Sequence, residues 1–340
     1  MQIYGEKEDN AFWIFVVSFK KSGFFLTPMP SRKCFPCLQK IAFRAVELST
    51  TDIALRERLQ QQLKQKIKAH FPELLLPDFS TELFADIAAA TGVRDPFLEI
   101  KAQSNRIFLE LLPRIIAPLT SLSPDERLKK LFLFSIAANL VDFSTGEHEV
   151  DLSSIVQQFF SVAGEELAID DFSELLSLLH RSEQIIILSD NCGEVVIDNY
   201  LAGYLTSELD KETFLGLKGA PIANDCTIAD FKRDNLPYLA TEVFAVSDAF
   251  GYNWHEVSDR FKELLSEADL LLVKGQSNYE TTVNNLVRHP ELSFPPIFCI
   301  LRTKCEVISN HLGVSLGSNV IKQMFPLLDK ETVLTEIAKS

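Results

Sequence analysis

Two hydrophobic rhythms divide the chain. From Cys34 to about His180 apolar residues return at helical spacing. Leu55, Leu59, Leu63, Ile67 and Phe71 recur every four residues, while Arg56, Arg58, Lys64, Lys66 and Lys68 lie off that stripe, as in an amphipathic helix with one buried face. Its basic positions are read as a solvated face rather than an anion site. Ser80–Thr81–Glu82 is predicted to cap a further helix, and Ser123–Pro124–Asp125–Glu126 to open another with an N-cap hydroxyl and a proline in the first turn. At Gln184 the rhythm changes. Ile185–Ile186–Ile187–Leu188 is a short apolar run rich in β-branched residues, and similar runs start near Thr213, Val243, Leu270 and Ile297, about 28 residues apart. That distance suits a strand, a crossover helix and two loops. Runs without polar alternation predict parallel strands covered on both faces. The expected fold is α/β, a three-layer α/β/α domain with a mostly parallel sheet over residues 181–340. An all-helical domain over 29–180 precedes it, and residues 1–28 read as an extension or a start codon assigned too early.

Composition narrows the function. Lys and Arg total 33 against 47 Asp and Glu, a formal net charge of −14, which opposes non-specific nucleic-acid binding because that depends on basic surface. The apolar stretch Phe12–Phe19 is too short to span a bilayer and follows acidic residues, unlike a signal peptide. No membrane association is expected. Six cysteines in 340 residues are too sparse for a disulfide scaffold, so a reducing cytoplasm is expected. Oligomeric state is not legible.

In a doubly wound sheet, ligands bind beyond the carboxyl ends of the strands. The runs there close on Ser189–Asp190–Asn191–Cys192–Gly193–Glu194, Lys218–Gly219–Ala220–Pro221–Ile222–Ala223–Asn224–Asp225, Lys274–Gly275–Gln276–Ser277–Asn278–Tyr279–Glu280 and Arg302–Thr303–Lys304–Cys305. A dinucleotide site would place a glycine-rich turn after the first strand; Asp190 occupies that place. A carboxylate at a helix start repels phosphate unless a cation lies between them, and Asp, Asn and Asp offer the hard oxygens that Mg²⁺ or Mn²⁺ prefer. Lys274 and Lys304 could then hold phosphoryl oxygens turned away from the metal. Asp or Asn after a strand also serves as a plain helix cap, and a strand-end Lys as a solvated charge. Only their coincidence at successive strand ends favours a site.

At these residues the chain resembles the damage-control phosphatase family, also known as domain of unknown function 89 and described as acidic-residue methyltransferase-like, in its cysteine-bearing prokaryotic branch. The likeness starts at Cys34–Phe35–Pro36–Cys37. It continues through Asp95–Pro96–Phe97, Lys101, Ser104–Asn105 and Ala138–Asn139–Leu140–Val141–Asp142, then runs through the strand-end segments to Lys304–Cys305. The resemblance implies a metal-dependent phosphatase of small phosphorylated metabolites, sugar phosphates or damaged cofactor phosphates. Asp190, Asn191 and Asp225 would bind a divalent ion (Mg, Mn, Co or Ni), with Lys304 beside them in catalysis. Glu194, Asn278 and Lys304 would border the phosphate or leaving group, Lys274 would support the same loop, and Asn139 and Asp142 would approach from the helical half. Cys192, Ser277 and Ser247–Asp248–Ala249–Phe250–Gly251 depart from the family pattern. Water attack and an aspartyl-phosphate through Asp190 both remain open.

Two rivals belong to other classes: an S-adenosylmethionine-dependent carboxyl methyltransferase, opposed by the missing glycine-rich turn, and a phosphometabolite-binding protein without turnover. Cys34 and Cys37 could form a thiolate pair, with Cys305 as a third thiol, or pack as small apolar groups. No histidine motif for a metal occurs.

Overall fold

The helical period of the first half folds into α1 (Cys34–Ser49), α2 (Ile53–His70), α3 (Leu76–Thr91), α4 (Leu98–Ile116), α5 (Pro124–Ala138) and α6 (Leu152–Val162), with a 3₁₀ turn at Ala117–Ser121. The computed structural model describes residues 33–70, 76–139, 152–289 and 291–324; the expected extension over 1–28, Phe71 and Asp142 lie outside them. In α2 the stripe residues Leu59, Leu63 and Ile67 are buried. Ser123 opens α5 as expected, its backbone N–H donating to Glu126 Oε2 at 3.0 Å. Ser80 and Thr81 do not cap a helix. Pro77 and Asp78 occupy the first turn of α3, where a proline loses no hydrogen bond, so Ser80 and Thr81 fall one turn inside and donate to Leu76 O (2.7 Å) and Pro77 O (3.0 Å).

The second half gives β1 (Leu167–Asp170), α7 (Phe172–Arg181), β2 (Gln184–Leu188), α8 (Glu194–Leu209), β3 (Glu212–Leu217), α9 (Ile228–Arg233) and β4 (Glu242–Ala245). It continues with α10 (Asp259–Glu267), β5 (Leu270–Lys274), α11 (Gln276–Arg288), β6 (Ile297–Arg302), α12 (Glu306–Leu312) and β7 (Asn319–Met324). The seven strands form one sheet in the order β1-β7-β6-β5-β2-β3-β4. All pairings are parallel except β6 with β7. The five expected strands are present. Strands β1 and β7 were not expected, and β1 lies in the stretch read as wholly helical.

Side chains of one strand alternate between two apolar layers. Ile185, Ile187, Leu215 and Leu272 join Leu128, Phe134, Leu175 and Leu201 on one face. Ile186, Leu188, Leu271 and Val273 join Phe261, Tyr279, Val283 and Ile308 on the other. Both faces are dry, which is why β2 reads as unbroken hydrophobicity; each such side chain contributes about 1.5–3 kcal/mol. A third cluster holds Leu38, Leu63, Phe79, Leu83 and Phe97 from the helical half together with Ile222 and Ala223 from the loop after β3. The chain runs from β2 outward through β3 to β4, then returns to β5 on the other flank of β2. The crevice of such a sheet opens where the winding reverses, at the carboxyl ends of β2 and β5. Among the described residues no helix is long and apolar enough to cross a membrane.

Candidate functional site at the ends of β2, β3 and β5

Asp190 and Asn191 leave the end of β2, and Asp225 leaves the loop after β3. Asn191 pairs with Asp225 as an antiparallel bridge, closed by Cys192 N–H to Asn224 O and Cys226 N–H to Asp190 O, both at 2.9 Å. Ala223 adopts φ +42°, a left-handed conformation that costs a non-glycine residue about 1–2 kcal/mol. Its burial with Ile222 among the side chains of α1, α2 and α3 anchors that bend, which feeds directly into Asp225. The helical half therefore shapes an acidic turn of the sheet.

The two acids share one compartment. The Asp190 carboxyl is raised to about 6, by burial first and by Glu194 next, against the opposing pull of Lys304 and Lys218. Burial raises Asp225 to about 8, and Asp190 adds to the effect. Asp225 Oδ2 is buried without a hydrogen-bond partner; the nearest cation, Lys218 Nζ, is 3.8 Å away. Two crowded carboxyl groups, one with an orphaned oxygen, beside the amide of Asn191 make a hard-oxygen donor set suited to a divalent cation. Among the described residues no group of three or more His, Cys, Asp or Glu side chains assembles as a ligand set. The candidate set has two carboxylates and one amide.

A buried frame supports the acids from behind. Asn139 Nδ2, just past α5, donates to Asp190 Oδ2 at 3.1 Å and to Glu194. Asn191 Nδ2 donates to Asp190 Oδ2 at 2.9 Å and to Glu194 Oε2 at 3.3 Å. Lys274, 1% exposed, pairs with Glu194 and lies 3.3 Å from Asp198 Oδ1. Burial works against its charge, but Asp198 and Glu194 outweigh it, so its pKa is raised. Its ammonium is wholly committed to these partners and to Ser135 O at 3.3 Å. Gly275, next in the chain, has φ +79°, and a Cβ there would lie 2.0 Å from Asp190 Oδ2, so glycine is required both by conformation and by space. Asn278 donates to Ser189 O (3.2 Å) and Lys274 O (2.9 Å), tying α11 to the ends of β2 and β5. Lys304 is exposed at the mouth of the site.

The structure thus brings together Asp190, Asn191, Asp225, Glu194, Lys274, Asn278 and Asn139, with Lys304 at the rim; Asp142 lies outside the described residues. Sequence reasoning assigned nothing to Lys218, Asp198 or Ser135. Lys218, 3% exposed, reaches Gly251 O and Asn278 Oδ1 (3.3 Å), and burial lowers its pKa against the pull of Asp225 and Asp190. It directly follows β3 as Lys274 closes β5, a repetition visible in the sequence. Asp198 is one turn beyond Glu194 on α8 and accepts from Ser189 (2.7 Å) and Ser135 (2.5 Å). Cys305 is half-buried and its thiol pKa is raised chiefly by burial, with Glu280 and Cys34 adding to the effect, which favours packing over thiolate chemistry there; Cys37 is exposed.

The model of the damage-control phosphatase ARMT1-like domain matches residues 31–320. The chain is 28% identical over 289 residues to a protein named damage-control phosphatase from Pyrococcus horikoshii, covering 85% of this chain and 96% of that protein. It is 27% identical over 291 residues to a damage-control phosphatase of Archaeoglobus fulgidus, covering 85% and 97%. A crystal structure of a DUF89 family protein from Pyrococcus horikoshii superposes with a TM-score of 0.74 at 26% identity, covering 87% of this chain and 99% of that one.

Proposed function

Because this chain belongs to the damage-control phosphatase ARMT1-like family, we propose that it is a phosphatase of small phosphorylated metabolites, sugar phosphates or damaged cofactor phosphates. It works with one divalent cation, Mg²⁺, Mn²⁺, Co²⁺ or Ni²⁺, held by Asp190, Asn191 and Asp225. The observation that carries this reading is the crowding of Asp190 and Asp225: burial raises both carboxyl pKa values, the Asp190 charge raises that of Asp225 further, and one Asp225 oxygen lacks a hydrogen-bond partner. Bound there, the cation supplies Lewis-acid polarisation of a phosphoryl group and balances the two acids.

The chain's own residues do the rest. Asn139 fixes Asp190 from the helical side, and the Glu194–Lys274–Asp198 cluster holds Asn139 and Asn191 in place. Lys304, exposed at the rim and near enough to draw down the Asp190 pKa, meets the phosphoryl oxygens and offsets charge that builds in the transition state. Glu194 and Asn278 border the phosphate or leaving group. Lys274 supports the loop and does not touch substrate. A cytoplasmic location, in keeping with so sparse a set of cysteines, and a part in metabolite repair complete the reading.

Phosphate release from a panel of sugar phosphates and damaged cofactor phosphates, with each of the four cations and with EDTA, tests this. Release that needs metal and is lost in Asp190→Ala is expected. No release with any cation, or methyl transfer from S-adenosylmethionine that ignores EDTA, overturns it.

A further inference from the structure

Helix α4 carries Lys101 and Asn105, four residues apart and so on one face, and both are fully buried. Asn105 Oδ1 accepts from the backbone N–H of Gly193 at 2.6 Å. Gly193 has φ +86° and links Asn191 and Cys192 to the start of α8. Packing there is close: a Cβ on Gly193 would come within 2.9 Å of Phe108 Cδ2. The other end of the Asn105 amide donates to Asp234 Oδ2 at 2.7 Å, just past α9. One turn earlier, Lys101 Nζ lies 2.6 Å from both Asp95 Oδ2 and Asp230 Oδ2. Asp230 in turn accepts from Thr227 N–H (3.1 Å) and Thr227 Oγ1 (2.6 Å) in the capping box that starts α9, two residues after Asp225.

One helix face therefore grips both acidic turns, the first through Asn105 and Gly193, the second through Lys101, Asp230 and Thr227. We propose that Asn105 and Lys101 are positioning residues that clamp the turn bearing Asp190 and Asn191 against the turn bearing Asp225, and so set the affinity of the divalent-ion site; this rests on the reading of those three residues as its ligands. The chemistry of each side chain fits the task. Asn105 must accept at one end and donate at the other, which a carboxamide does and a carboxylate or aliphatic group does not. A buried ion pair such as Lys101 with Asp95 and Asp230 gains little stability over packed apolar groups, and its best-attested use is to fix one arrangement among several.

The test has two arms on the full chain. Without metal, amide hydrogen exchange reads the two bonds that join the turns, at Cys192 and Cys226, together with Gly193. With metal, the loss of free Mn²⁺ signal in electron paramagnetic resonance reads affinity without reference to turnover. Asn105→Ala is expected to speed exchange at these three amides and to weaken Mn²⁺ binding, each by about tenfold or more, as for one lost buried hydrogen bond; Leu271 and Val273 in β5 keep their protection. The double variant Asn105→Asp/Asp234→Asn reverses the polarity of that contact, still accepts from Gly193, and is expected to restore both readouts. Asn105→Ser replaces the alanine variant if that does not fold. Unchanged protection at Cys192 and Cys226 overturns the clamp, as does a uniform loss of protection that the double variant fails to repair. Wild-type protein that takes up no Mn²⁺ overturns the metal reading instead, and the exchange arm still decides whether α4 holds the turns together.

Discussion

The backbone of Asn191 pairs antiparallel with that of Asp225, so the turns after β2 and β3 form one continuous surface. Burial lifts both carboxyl groups above the ordinary range, and the Asp190 charge lifts Asp225 further; the following outcomes depend on it.

Stability of the metal-free protein should fall as pH rises from 5 to 8. The folded pKa values of Asp190 (about 6) and Asp225 (about 8) lie above the ordinary 3.8. Their contribution is therefore complete below 3.8 and is lost as pH climbs through the folded values. Mn²⁺ should reverse the loss, and Asp225→Asn should flatten the slope. Thermal melts at several pH values, with EDTA or Mn²⁺, check this; a metal-free protein that gains stability over that range contradicts it.

Gly275→Ala should damage the site more than the fold. The new Cβ would collide with the Asp190 carboxylate in a residue held at φ +79°, a conformation that costs alanine about 1–2 kcal/mol. Urea denaturation should register that loss, while phosphate release should drop well beyond what the unfolded fraction explains.

Lys304→Ala should leave stability within about 0.5 kcal/mol, as exposed substitutions do. Removing a cation that faces developing phosphoryl charge costs roughly 10²–10³-fold in rate. Loss of its pull should also raise the Asp190 pKa further, visible as a shift of the acidic limb of the pH–rate profile to higher pH.

Lys274→Met should be the most destabilising of these changes. It strands Glu194 and Asp198 in a site where both are buried, at a cost of about 3–5 kcal/mol. Adding Glu194→Gln and Asp198→Asn should recover much of it in denaturant titrations; additive losses across the three changes would contradict this.

The sequence signal was strong wherever burial on both faces leaves an unbroken apolar run, as at Ile185–Leu188 and Leu270–Val273. It was weak at the far edge of the sheet. β1 is four residues long and half exposed, and β7 carries Lys322 and Gln323 at partly exposed positions, so neither stands out as a hydrophobic run. Strand-end residues such as Asp190 and Asp225 were legible because topology dictates where a ligand sits. The contacts of Lys101 with Asp230 and of Asn105 with Gly193 join residues 129 and 88 positions apart, and no local period encodes such distances. Ser80 misled because a serine before a glutamate resembles a cap wherever it falls, and the actual helix start lay in Pro77 and Asp78.

The most direct test of the shared cation is diffraction at the manganese absorption edge from crystals grown with Mn²⁺. One anomalous peak per chain is expected, within bonding distance of side-chain oxygens from both Asp190 and Asp225. A peak that touches only one of them, or none between the two turns, contradicts the account.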